Sequence, residues 1–83
     1  MTYVFKVLIP NGLHARPCSH LIYILKDFKS VKFTHNNQTS NSLSILELLL
    51  LKVPYGGEIT LSCEHPLDDS TMLKLSLFFS GSN

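Results

Sequence analysis

Residues 10–25 read PNGLHARPCSHLIYIL. Pro10-Asn11-Gly12 is a turn signal. Beyond it Leu21, Ile24, Leu25 and Phe28 recur at helical spacing, which predicts a helix from Ala15 to about Phe28. Pro17 then falls in the first helical turn, where a missing N–H is harmless because the early amides have no intrahelical acceptor. His14 stands at the N-cap. Upstream, Tyr3 to Ile9 is rich in β-branched and aromatic residues and stops at Pro10, so it reads as a strand. The stretch therefore sets a strand, a tight turn and a helix in that order.

The rest of the chain extends this pattern. Val31 to Thr34 alternates, Asn36-Asn37 tolerates the positive φ of a tight hairpin, and Gln38 to Asn41 returns as the partner strand. Ser44-Ile45-Leu46-Glu47 has the S-x-x-E form of a capping box and opens a short helix through Leu51. Pro54 to Gly57 breaks that helix. Glu58 to Cys63 alternates again, with Ile59, Leu61 and Cys63 on one face. Asp68 and Asp69 suit the positive end of a last helix, with Met72, Leu75 and Phe79 along one side. The order is βαββαβα. Alternating strands and one-sided helices imply an α+β fold in two layers, with the helices on one face of a four-stranded antiparallel sheet.

Size and composition bound the function. The 83 residues make a single domain, 1–83, able to bury about 60–65% of its unfolded surface and too small for a deep substrate cleft. An apolar fraction of 45% against 16% charged residues argues for a packed domain rather than disorder. The formal charge is +1, and the seven Lys and Arg are dispersed, so nucleic acid is not an expected partner. The longest leucine-rich run, ILELLLLKV, falls far short of the ~18 apolar residues of a membrane span. MTYVFKVLI lacks the layout of a signal peptide. With two cysteines, Cys18 and Cys63, reduced thiols in a cytoplasmic protein are expected. No metal site is expected, because His14, His20, His35 and His65 are scattered over different elements.

Residues 12–18 carry the chemistry. The free amides of Ala15 and Arg16 form a ready anion site at a helix N-terminus. Arg16, the only arginine, adds a planar fork suited to phosphate oxygens. Gly12 permits close backbone approach, and Pro17 pins the first turn. A helix N-terminus disfavours added positive charge, and a neutral imidazole is a nucleophile. His14 can thus accept a phosphoryl group and the amides can hold the dianion. Against this stands the commoner role of a histidine at a helix entrance, that of a polar cap. Cys18 beside His14 raises a second rival, a Cys-His enzyme, which lacks an evident third residue.

The stretch NGLHARP resembles the active-site signature of the histidine-containing phosphocarrier (HPr) family of the bacterial sugar phosphotransferase system. YVFKVLIPNGLHARPCSHLI, HNNQTSNSLSI and GGEITLS follow the family pattern in order over nearly the whole chain. The resemblance implies the family's open-faced β-sandwich and a carrier rather than a stand-alone enzyme, with no cofactor. It implies that His14 takes phosphate on Nδ1 from enzyme I and passes it to the A domains of sugar permeases, with Arg16 neutralising the phosphate. It places Ser44 at the family's regulatory serine, the target of HPr kinase/phosphorylase, and matches Ile45, Leu46 and Leu49 to an apolar docking patch. It further implies a cytoplasmic monomer. An HPr-like regulatory module, or a nitrogen-type relay without sugar transport, is the alternative. Glu47 departs from the glycine common in members with the regulatory serine, and Cys18 from the usual alanine.

Overall fold

The computed structural model describes residues 1–28, 30–40 and 44–81. Among the described residues seven elements follow the expected order: β1 (Thr2–Lys6), α1 (Ala15–Ile24), β2 (Lys32–His35), β3 (Gln38–Ser40), α2 (Ile45–Leu50), β4 (Glu58–Ser62) and α3 (Asp69–Phe79). The strands form one sheet in the order β1-β4-β2-β3, and every neighbouring pair is antiparallel. Phe33, Ile59 and Leu61 point inward and are fully shielded, whereas Thr2, Val4 and Lys6 on the other face are exposed. The result is an α+β open-faced sandwich. Leu21, Leu48, Leu75 and Phe79 of the three helices meet the inner face in one core, and Phe5 stacks on Phe79 at 4.8 Å between ring centres. Each fully buried leucine or phenylalanine contributes roughly 1.5–3 kcal/mol.

Several boundaries differ from those expected. The strand predicted to run to Ile9 ends at Lys6, because Val7 pairs with the 56–57 turn and Leu8 donates to the Phe79 carbonyl at 2.8 Å. The chain has left the sheet by then, although Val7 and Ile9 stay buried. The first helix stops at Ile24 rather than near Phe28. Lys26 and Phe28 donate to the carbonyls three residues back, which tightens the end into a turn that still delivers Phe28 to the core. The hairpin forms as expected, with Asn36 and Asn37 at φ 49° and 65°. Asn41 lies outside the described residues.

The capping box is not realised at its serine. Ser44 has the extended backbone of an N-cap and its carbonyl accepts from Leu48 N–H at 3.0 Å, but its side chain makes no capping bond. Asp68 does cap α3: its Oδ1 accepts from Thr71 N–H at 2.8 Å. Hydrogen bonding from the Thr71 side chain, and then from its backbone N–H, holds the Asp68 carboxyl below the usual carboxylate range. His35, the last residue of β2 before the Asn36-Asn37 turn, is buried. It shares the inward side of β2 with Phe33, and its Nδ1 lies 2.7 Å from the Glu58 carbonyl, which can only accept, so Nδ1 carries the proton.

Candidate functional site

The loop before α1 is built on two consecutive left-handed residues, Asn11 at φ 66° and Gly12 at φ 73°. Gly12 N–H donates to the Ile9 carbonyl at 2.8 Å, and Leu13 N–H donates to the Val53 carbonyl at 2.9 Å. Leu13 is buried and anchors the loop. His14 follows in extended conformation (φ −100°, ψ −170°), and its carbonyl accepts from Cys18 N–H at 3.0 Å, the first bond of α1. The imidazole makes no capping bond and is exposed. The commonest alternative role for this residue, a polar cap, is therefore not what its side chain does here.

Ala15 and Arg16 occupy the first two helical positions, where the N–H groups have no intrahelical acceptor, and both residues are exposed. Pro17 is buried at the third position and has no N–H to satisfy. Gly12 is placed differently from the other residues expected to hold phosphate. Its N–H is engaged within the loop, and a Cβ there would meet the Val53 carbonyl oxygen at 2.4 Å. The close backbone approach that the glycine permits is thus to the segment at Val53 and Pro54. Cys18 is fully buried, its Sγ 3.8 Å from the Leu13 carbonyl, and burial pushes its thiol up to about 11. A thiol so protonated is no nucleophile, which removes the Cys-His reading. Among the described residues no three histidine, cysteine or acidic side chains are grouped as a metal ion would need.

His14 and Arg16 line one open depression of about 340 Å³, together with Asn11, Pro17, His20 and Phe78. His20 was not expected there. Its ring meets Phe78 of α3 edge-on, with centres 5.4 Å apart and planes at 90°. The i,i+4 spacing from Arg16 was the available signal, since such residues share a helix face.

α2 packs beside α1 and is anchored in the core by Leu48. Ile45 and Leu46 of the expected patch are exposed, at 42% and 67%, while Leu49 is half-buried against the core. Leu50 and Tyr55 are exposed as well. Ser44 is half-exposed at the start of this helix.

The family model described as the PTS HPr component phosphorylation site matches residues 2–80. The phosphocarrier protein HPr of Chlamydia muridarum is 29% identical over 82 residues, covering 96% of this chain and 78% of its own. HPr of Buchnera aphidicola from Acyrthosiphon pisum is 30% identical over 76 residues, covering 90% and 89%. Among solved structures, HPr-C-His of Thermoanaerobacter tengcongensis superposes with a TM-score of 0.80 at 22% identity, over 100% of this chain and 98% of the other. HPr from Bacillus anthracis gives 0.78, also at 22%, over 95% of each chain. At such identity the structures speak for the fold, which they share.

Proposed function

The chain belongs to the PTS-HPr family of phosphocarrier proteins, and from that membership we propose that His14 is the residue that carries the phosphoryl group. It takes the group from enzyme I and delivers it to the A domains of sugar permeases. The observation that carries this reading is the exposed, uncapping imidazole of His14 beside Arg16 and two open helix amides. In the transfer a ring nitrogen, Nδ1, forms a P–N bond as the donor's bond to phosphorus breaks, and the donor leaves with that electron pair. The Ala15 and Arg16 amides and the Arg16 fork meet the phosphoryl oxygens, while Pro17 fixes the turn that presents them. Incubation with phosphoenolpyruvate and enzyme I, followed by intact mass before and after acid, tests the proposal. One acid-labile phosphoryl group is expected; an acid-stable gain would overturn it.

Arg16 acts on the group in transit. Charge-assisted hydrogen bonds are worth roughly 1.5–3 kcal/mol, and the Arg16 fork can place two on the group at once, which offsets what exposure takes from each. At ~1.4 kcal/mol per tenfold, Arg16→Ala slows transfer by about one to two orders of magnitude. The side chain is exposed, so the unfolding midpoint barely moves. Stopped-flow transfer and a thermal melt on the same preparation separate the two effects.

The exposed side chains of Ile45 and Leu46, with Leu49 behind them, form the surface on which we place the partners. Ser44 adjoins it and is the position where HPr kinase/phosphorylase would act. Phosphorylation there brings about two negative charges to an apolar docking surface. Ser44→Asp is expected to weaken phosphorylation of His14 by enzyme I. Ser44→Ala leaves transfer intact and, with no capping bond to lose, costs well under the ~1 kcal/mol of a working cap. Equal transfer rates in Ser44→Asp and wild type would leave the serine without a regulatory role. No helix of the described residues is long and apolar enough to cross a membrane, and we place this carrier in the cytoplasm as a single-domain monomer.

A further inference from the structure

Resting on the reading of His14 as the phosphoryl carrier, we propose that His20 is a further contact residue of the same site, donating a hydrogen bond to the phosphoryl group held on His14. Three observations meet here. His14, Arg16 and His20 line one depression, so a group attached to the first ring enters space that the other two border. Helical side chains lean toward the N-terminus, which directs residue 20 back over the turn that begins at Arg16. The ring is also packed: its plane stands at 90° to that of Phe78 of α3 with centres 5.4 Å apart, a contact that favours one ring orientation, while the residue stays exposed. A packing residue at this position would need only an aromatic body. An imidazole adds an N–H on a packed ring beside the place where a dianion arrives. In its charged form it adds a second cation to that of Arg16.

The two roles are separated by two substitutions. His20→Phe keeps an aromatic ring against Phe78 and removes every donor. His20→Gln removes the ring and keeps a donor. Each protein is phosphorylated with phosphoenolpyruvate and enzyme I, and the equilibrium for transfer is read from intact mass. The phosphoryl ionisation is followed by phosphorus NMR. His20→Phe is expected to melt with wild type yet to lower the transfer equilibrium about fivefold, as for one charge-assisted bond in a solvent-open site. Its phosphoryl group should ionise at higher pH than in wild type, because a donor to the dianion has gone. His20→Gln is expected to recover part of the lost equilibrium. Identical equilibria and phosphorus titrations for wild type and His20→Phe would overturn the assignment and leave His20 as packing. Equal loss in both variants would overturn the hydrogen-bonding role. A wild-type chain that takes up no acid-labile phosphate would overturn the parent reading as well, and so is told apart from either result.

Discussion

His14→Ala yields a folded protein that takes up no acid-labile phosphate from enzyme I. The expectation has two halves, and each has its own physical ground. On the proposed reading the imidazole supplies the nitrogen that bonds to phosphorus, and Ala15, Arg16 and Pro17 offer no nucleophile to replace it. Cys18 is buried with its thiol pushed up to about 11, so it cannot substitute. Loss of labelling is therefore complete rather than partial. The fold is expected to be indifferent, because the side chain is exposed and makes no capping bond. Such surface changes usually stay within about ±0.5 kcal/mol. Intact mass after incubation, together with a denaturant curve, checks both halves. Acid-labile labelling at the wild-type level would sink the assignment of His14.

Gly12→Ala is expected to produce the largest loss of stability of any single methyl added to the loop. At φ 73° an L-residue is strained by roughly 1–2 kcal/mol. The new Cβ would also lie 2.4 Å from the Val53 carbonyl oxygen and 2.9 Å from Pro54 Cα, both of them backbone atoms that cannot rotate away. Overpacking of this kind typically costs 1–3 kcal/mol. The sum, about 2–5 kcal/mol, is a large part of the 5–15 kcal/mol that holds a domain together. The same shift would break the bond from Leu13 N–H to the Val53 carbonyl and so move His14 off its N-cap position. Urea denaturation measures the loss. A change under about 1 kcal/mol would show that the loop yields without strain.

The sequence made the start of α1 legible because two constraints coincide there. Gly12 permits the left-handed turn, and Pro17 is tolerated only within the first helical turn. Asn36-Asn37 was legible for the same kind of reason, since few residues accept φ values of 49° and 65° in succession. The errors came where burial continues after the regular backbone stops. Val7 and Ile9, then Leu25 and Phe28, keep the spacing of the element before them, yet they reach the core from turns. Periodicity registers burial and does not register hydrogen bonding. Ser44 failed as a cap because S-x-x-E specifies composition and not the side-chain rotamer. Of the site, His14 and Arg16 could be read from local chemistry. His20 could be read only as sharing a helix face with Arg16; its packing on Phe78 could not, because Phe78 reaches it from the opposite end of the chain.

The open face of the sheet has a kinetic corollary. Thr2, Val4 and Lys6 lie on the side away from the helices, while His14, Arg16 and the exposed leucines of α2 lie in and beside the helical layer. On the proposed reading the carrier has a single working side and cannot seat a donor and a recipient at once, so loading and delivery exclude each other in time. Departure from one partner must precede arrival at the next. With association at about 10⁷ M⁻¹s⁻¹, a complex of ~1 μM dissociation constant lasts about a tenth of a second, and a nanomolar one lasts minutes. Flux through such a molecule is therefore limited by how tightly it binds. Any substitution that tightened one partnership would slow the relay, because carrier held by that partner is withdrawn from circulation.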